Sequence, residues 1–272
     1  MRDPQTAARL MSREELTSQA AAVLSRLRGK SPRVHCITNS VAQNFTANAL
    51  LALGAVPSMT LSGEEIGAFV ARSDALLVNL GTFDRERREA TSIAVDAASQ
   101  NGLPWVLDPV FIDRAEQRAV YARDLILLEP KAIRLNAGEF AALSGQRHAD
   151  AAPARETVEA YARARRLVVG LSGATDLISD GERTAAIANG HPLMARVTAM
   201  GCAASAIVAG CLAVEQDTLA ATASAMLIVG IAGEMAAEKS QGPGSFAAAI
   251  LDALYVIDAK MIDARGRTGL QR

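Results

Sequence analysis

Aromatic side chains are scarce in this chain: they make up 4% of 272 residues, with a single tryptophan. The apolar half of the composition is therefore alanine, valine, leucine and isoleucine, suited to closely packed helices and buried parallel strands rather than an aromatic binding surface. A surplus of positive charge is also missing. The net charge is −1, so no global basic field draws the protein to nucleic acid or to an anionic membrane, and neither is expected as a partner. Cys36, Cys202 and Cys211 show no Cys-x-x-Cys or Cys/His ligand spacing, and an odd number closes no disulfide framework, so a reducing, cytoplasmic setting is expected. The N-terminal stretch, with Asp3, Arg9, Arg13, Glu14 and Glu15 spread through it, lacks the apolar core of a secretory signal. No Gly-x-Gly-x-x-Gly follows a strand-like run, which removes the dinucleotide fingerprint. Gly29-Lys30-Ser31 imitates the end of a phosphate-binding loop, but Leu24 stands where that pattern needs its first glycine and Pro32 where its helix should begin.

Long uncharged runs are present, over 197–214 and 218–233. Their length suits a spanning helix, yet their alanine, serine, threonine and glycine content is too weakly hydrophobic to favour lipid. They read as a pair of buried helices. Upstream, an alanine-rich, charged helix over roughly 12–27 precedes an alternation of short apolar runs and helical stretches. The expected strands are 34–38, 56–60, 75–80, 105–107, 132–135 and 167–171; the expected helices are 41–53, 64–72, 85–100, 117–127, 138–143 and 155–165. Continuous apolar strands, each followed by a helix, predict a parallel sheet covered on both faces. The stretch 177–189, with Asp180-Gly181 between two β-type runs, predicts an antiparallel hairpin, and the chain from Cys202 onward reads as helical. The one candidate break, 145–153, is a loop rather than a linker, so one domain over 1–272 is expected.

Four places could carry chemistry. The stretch 34–63 has no formal charge but is dense in Asn39, Gln43, Asn44, Thr46 and Asn48; such a cluster is either a structural polar network or the wall of a small-molecule pocket. His35, inside a strand run, reads as a core histidine. Asp108, just after an apolar strand, is a candidate for metal or phosphate work at the carboxyl edge of a sheet, or a helix-capping carboxylate. Asn136 and Glu139 have the spacing of a helix capping box, with the alternative that Glu139 holds hydrated Mg2+ against a phosphate. Finally, Thr198 ends a strand-like run, and Ala199-Met200-Gly201-Cys202 opens a long apolar helix whose free N–H groups would bind an anion. The same field would lower the Cys202 thiol and make it a weak base or polarising group; the alternative is a buried structural cysteine. Cys211, mid-helix, is packing.

The run Val34-His35-Cys36-Ile37-Thr38-Asn39, followed by Asn44-Phe45-Thr46-Ala47-Asn48 and Leu50-Leu51-Ala52-Leu53-Gly54-Ala55, resembles the opening of the hydroxyethylthiazole kinases, ribokinase-like enzymes of thiamine salvage. The likeness continues in order through Asn79-Leu80-Gly81-Thr82, Leu107-Asp108-Pro109-Val110, Ile133-Arg134-Leu135-Asn136-Ala137-Gly138-Glu139, Val197-Thr198 with Gly201-Cys202, and Gly242-Pro243-Gly244-Ser245-Phe246. The cysteine in the anion-hole motif is specific to this family, since most ribokinase-like enzymes carry an aspartate there as base. The resemblance implies an α/β, ribokinase-like three-layer sandwich with a central, mostly parallel sheet and helices on both faces. It implies ATP- and Mg2+-dependent phosphorylation of the hydroxyl of 4-methyl-5-(2-hydroxyethyl)thiazole. Carried over by position, Met59 and Ala199 would contact the thiazole, Arg134 and Ser172 the ATP, Asp108 and Glu139 the metal through water or phosphate, and Cys202 would stand near the hydroxyl. It also implies a homotrimer with sites at subunit interfaces.

Two departures stand out. Phe111-Ile112-Asp113 replaces the family's Gly-Ala-Gly run, and Ala199 replaces a glycine, which is harmless only where the backbone φ is negative. The alternatives left open are a kinase for another vitamin precursor, an ATP/ADP-dependent repair dehydratase, and a non-catalytic member that binds thiazole or nucleotide.

Overall fold

The sheet is built as the alternation of runs requires. A computed structural model describes residues 8–145 and 153–269; the expected loop at 145–153 falls almost wholly outside them. In chain order come β1 (Arg9–Leu10), α1 (Arg13–Lys30), β2 (Arg33–Ile37), α2 (Gln43–Leu53), β3 (Val56–Ser58), α3 (Ile66–Ala71) and β4 (Ala75–Asn79). Then follow α4 (Arg85–Gln100), β5 (Trp105–Asp108), α5 (Glu116–Ile126), β6 (Ala132–Asn136), α6 (Ala137–Ser144), α7 (Arg155–Arg165) and β7 (Val168–Ser172). β8 (Asp176–Ser179) and β9 (Arg183–Ile187) lead through a 3-10 turn (Pro192–Arg196) to α8 (Met200–Leu212), α9 (Thr218–Glu238), α10 (Pro243–Val256) and α11 (Ala259–Arg265).

The strand order is β1-β9-β8-β7-β6-β5-β4-β2-β3, and only β8 runs against its neighbours. Alternate side chains of each central strand divide between two cores. Val34 and Cys36 of β2, Leu77 of β4 and Val106 of β5 face a core closed by α1, α2 and α8 to α11. Ile37, Leu76, Val78 and Leu107 face the second core, under α3 to α7. This is the expected three-layer sandwich with a mostly parallel sheet. The scarcity of aromatics shows in the first core, where alanines along α8 and α9 let those helices pack closely.

The uncharged runs become α8 and α9. Among the described residues α9 is the one helix long and apolar enough to cross a membrane, and 94% of its apolar window is buried within the protein. Gly29-Lys30-Ser31 sits at the carbonyl end of α1, with Ser31 as a left-handed cap, where the helix field repels anions. Val197 and Thr198 differ from expectation: they form no strand but a bend after the 3-10 turn, whose first helical residue is Pro192. β1 was not legible either, being two residues long and paired only at the sheet edge with β9.

The expected hairpin is β8–β9. Asp180 Oδ1 accepts the Glu182 and Arg183 N–H groups at 2.8 and 2.6 Å, and Gly181 takes φ +87°. A Cβ on Gly181 would lie 2.6 Å from Arg163 Cβ and 2.8 Å from its backbone nitrogen. Gly181→Ala therefore combines left-handed strain with a backbone clash. Its expected cost is about 2 kcal/mol or more, read as a lower urea midpoint at unchanged m-value.

Candidate active site

Five parallel strands, β2 and β4 to β7, deliver their following residues to one edge of the sheet. The chain leaves β2 outward to β3 and returns on the other side of β2 as β4, so the order reverses between β2 and β4. A ligand crevice opens beyond the carboxyl ends of strands at such a reversal. Asn39 follows β2, Asn79 ends β4, and Asp108 ends β5 in register with Asn79.

These residues form one polar chain. Asn79 Nδ2 donates to Asp108 Oδ2 at 2.7 Å, which turns Asn79 Oδ1 toward the Gly81 N–H at 3.0 Å and toward Asn39 Nδ2 at 3.3 Å. Asn39 Oδ1 accepts from the Ala42 N–H at 2.9 Å, and its remaining amide proton points to Cys202 Sγ at 3.2 Å. Gly81 has to be glycine here, since a Cβ would stand 2.6 Å from Asn39 Nδ2. Of the amide-rich first block Asn39 joins this network, whereas Asn44 and Asn48 are exposed on α2, where Asn48 Nδ2 donates to Asn44 Oδ1 at 3.1 Å. Burial pushes the Asp108 carboxyl up to about 7, with Arg134 opposing the rise and Glu139 adding to it. Burial also raises the Cys202 thiol to about 11, and the Asp108 charge pushes the same way. The expected thiol-lowering effect of the helix is outweighed: Cys202 stays protonated and is not a base.

Cys202 lies in the first turn of α8, whose N-cap, Ala199, offers no side-chain acceptor. The leading N–H groups of that helix are therefore available to an anion. Arg134, from β6, packs against the same turn: a Cβ on Gly201 would lie 2.6 Å from Arg134 Nη1, so a side chain there would displace the guanidinium. Arg134 Nε is buried with no hydrogen-bond partner. Arg134, Ser172, Met200 and Gly201 border a cleft of about 570 Å³, walled further by Met226, Val229 and the loop Ala188–Pro192. Ser172 Oγ donates to the Leu135 carbonyl at 3.2 Å and keeps its lone pairs for the cleft. The size and the mostly apolar lining suit a small-molecule site. Asp176 also borders this cleft, accepting the Gly173 N–H at 2.9 Å; sequence reasoning missed it, although its place after a Ser172-Gly173 turn at a strand end is a signal.

Glu139 plays the capping part in full. Asn136 Oδ1 accepts the Glu139 N–H at 2.9 Å, Glu139 Oε2 accepts the Asn136 N–H at 2.9 Å, and Oε1 accepts the Phe111 N–H at 3.1 Å. Burial nonetheless raises the Glu139 carboxyl. Among the described residues no group of three or more His, Cys, Asp or Glu is arranged around a metal position. Asp108 and Glu139, oxygen donors close enough for the Glu139 charge to raise the Asp108 acid, fit a hard cation that completes its shell with water and phosphate oxygens, which is magnesium's habit. Met59 lies apart from these groups, past the end of β3, half-buried against the first core. His35 is a core residue: burial holds it down at about 4, Nε2–H donates to the Thr60 carbonyl at 3.2 Å, and Nδ1 accepts the Ser58 hydroxyl at 2.8 Å.

Both departures from glycine sit in left-handed backbone: Phe111 at φ +62° and Ala199 at φ +70°. Ala199 is thus strained, and Ala199→Gly is expected to stabilise the protein by about 1 kcal/mol in a urea melt. Asp108 gives a pH-dependent test. Between its ordinary value near 4 and its folded value of about 7 the folded state holds the proton more tightly, so stability falls as pH rises through that window. Asp108→Asn removes this loss. Without nucleotide or magnesium, its melting temperature should exceed that of the parent by several degrees at pH 8, and the gap should close toward pH 4.

The chain is similar to known proteins over most of its length. The family model for the hydroxyethylthiazole kinase family matches residues 24–260. A hydroxyethylthiazole kinase of Cronobacter sakazakii is 46% identical over 246 residues, covering 88% of this chain and 93% of that protein. The solved structure of a hydroxyethylthiazole kinase protein from Pyrococcus horikoshii OT3 superposes with a TM-score of 0.86 at 37% identity, over 92% of this chain and 98% of that one. A ribokinase-like superfamily protein from Enterococcus faecalis shares the fold, with a TM-score of 0.67 at 15% identity over 91% of this chain and 95% of that one. The chain belongs to the hydroxyethylthiazole kinase family.

Proposed function

We propose that the protein transfers the γ-phosphoryl group of ATP to the primary hydroxyl of 4-methyl-5-(2-hydroxyethyl)thiazole, in the presence of Mg2+, as one kinase domain over 1–272 acting in the cytoplasm. The observation that carries this reading is the meeting, at the uncapped start of α8, of an unpartnered arginine nitrogen, a protonated thiol and a buried carboxylate, beside an apolar cleft. Phosphoryl transfer asks for alignment and charge stabilisation more than for covalent chemistry. The cleft takes the nucleoside, with Ser172 and Arg134 at its phosphate end. Arg134 and the first N–H groups of α8 face the charge that builds on the phosphoryl oxygens. Asp108 and Glu139 would hold Mg2+ through water and phosphate oxygens, where it would neutralise phosphate charge.

Cys202 orients the alcohol. Asn39 donates to its sulfur, so the S–H is free to point to the acceptor hydroxyl. Ala199 would present backbone to the thiazole, and Met59, past the end of β3 on the far side of β2, would bring its apolar thioether to that site from the sheet edge. In a homotrimer a neighbouring subunit would complete that wall, and exposed Val41, Leu51, Val56 and Phe69 flank the β3 edge where it would pack. The low-identity likeness to other ribokinase-like proteins concerns the fold alone, and no observation favours another acceptor.

The test is purified protein with ATP, Mg2+ and a panel of small alcohols, read by product mass. Thiazole phosphate is expected; phosphorylation of a different alcohol alone would overturn the assignment. Cys202→Ala should lower turnover by about 10- to 100-fold while calorimetry still detects thiazole binding. Unchanged turnover would remove Cys202 from the chemistry.

A further inference from the structure

One wall of the cleft is a short loop, Ala188–Pro192, without regular structure of its own at Asn189 to His191. It is held from behind by a carboxylate that does not border the cleft. Glu234, on α9, accepts from both directions: Asn189 Nδ2 lies 3.1 Å from each of its oxygens, and the Gly190 N–H donates to Oε1 at 2.9 Å. Arg267 closes the carboxylate from outside, at 2.5 and 3.2 Å. The same arginine clamps the loop's backbone, Nη2 donating to the Ala188 carbonyl at 3.1 Å while the Ala188 N–H donates to the Arg267 carbonyl at 3.1 Å.

Asn189 is fixed at every polar atom of its side chain. Its Nδ2 also reaches the Arg265 carbonyl at 2.9 Å, and its Oδ1 accepts the Arg267 N–H at 2.7 Å. Gly230, one turn before Glu234, lets α9 press directly on the loop: a Cβ there would stand 2.7 Å from the Asn189 carbonyl oxygen. Downstream, Thr268 bridges to Ile187, the Gly269 N–H donates to the Ala186 carbonyl at 3.0 Å, and Gly269 lies against Thr175, between the cleft residues Ala174 and Asp176. The segment Arg265–Gly269 therefore braces both sides of the cleft, through Glu234 on one and Thr175 on the other.

We propose that Glu234, seated by Arg267, is a positioning residue for the nucleotide: it holds the Ala188–Gly190 wall in the shape that receives the base and ribose of ATP. This rests on the cleft being the nucleotide site. A glutamate side chain 14% exposed, receiving a backbone N–H, an amide and a guanidinium, is worth more than a surface ion pair, because losing its charge leaves those donors poorly matched. The cost falls on the loop and hence on nucleotide affinity. The thiazole site and the phosphoryl-transfer centre, built on Asn39, Asn79, Asp108 and Cys202, do not touch this cluster.

The experiment is steady-state kinetics on the full chain with two kinds of variant. Glu234→Gln should raise KM for ATP about tenfold, the effect of one lost charge-assisted hydrogen bond, while KM for the thiazole alcohol and kcat at saturating ATP stay within about twofold. Arg267→Met should raise KM for ATP about threefold and Arg267→Lys, which keeps the ion pair, should restore it. If Glu234→Gln does not fold, the Arg267 pair decides. A KM for ATP unchanged in the folded variants, or both KM values rising together, overturns the proposal. Photolabelling of the parent protein with 8-azido-ATP separates the underlying reading: label on the Ala188–Met194 peptide supports the cleft as the nucleotide site, and label only elsewhere overturns that reading and this proposal with it. Label on that peptide with unchanged kinetics overturns the role of Glu234 alone.

Discussion

The Asp108 carboxyl is almost wholly buried at the crevice edge, and the polar groups around it are arranged to satisfy it. It ends a central strand, so neighbouring strands set what it meets. Asn79 stands opposite in register and donates one amide N–H to the carboxylate; its carbonyl must then find donors, and these are the Gly81 backbone and Asn39. A side chain on residue 81 would occupy the place of Asn39, which makes the glycine a requirement of the network. Asn39 in turn hands its last proton to Cys202. Buried amides have one satisfied orientation, so fixing Asp108 fixes the sulfur position several residues away in space. An ionised group in place of Asn39 or Asn79 would have to be desolvated beside a carboxyl already held near neutrality.

Much of this was legible in the sequence, for identifiable reasons. Buried parallel strands read as unbroken apolar runs, and α4 and α7 begin and end where expected because their amphipathic pattern is regular; Asp84 caps α4 with a hydrogen bond of 2.8 Å to the Arg87 N–H. The capping box at Asn136 and Glu139 was visible as a spacing. That Glu139 also restrains Phe111 was not, because that contact joins the first turn of α6 to the loop after β5, with α5 and β6 between them. Val197 and Thr198 carry strand-like side chains yet form a bend, since Pro192 starts a 3-10 turn and the chain has only a few residues to reach α8. Propensity yields there to chain geometry. The pairing of Arg134 with Gly201 was invisible for a different reason: glycine announces an absence, and only coordinates say what fills it.

The two non-glycine residues in left-handed backbone mark the same edge of the sheet. Phe111 is held there by the Glu139 carboxylate on its N–H, and Ala199 by the turn that opens α8. Such residues persist only where their surroundings over-determine them. At Ala199 the reason is visible: a left-handed N-cap with no capping side chain leaves the first N–H groups of α8 exposed to a ligand. A serine or aspartate in ordinary extended geometry would satisfy one of those groups internally and leave one fewer for an anion.

Cys202 fits the centre because it adds no charge. Phosphoryl transfer concentrates negative charge on the transferred oxygens, and the positive side available to meet it is Arg134, the helix start and the cation that Asp108 and Glu139 suit. With Asp108 held near neutrality by burial and Glu139 engaged by two backbone N–H groups, the centre carries less negative charge than its count of acids suggests. A thiol at residue 202, raised to about 11, stays neutral beside them and leaves that balance intact. In the proposed transfer its weak S–H donor would turn toward the alcohol oxygen, since Asn39 fills its acceptor side. In that proposed transfer the proton of the alcohol then has no thiolate to go to, and it passes to an oxygen of the transferred phosphoryl group as the new ester bond forms and the bond to ADP breaks. A loose transition state permits this, since little charge builds on the attacking oxygen before the bond to the leaving group is mostly broken.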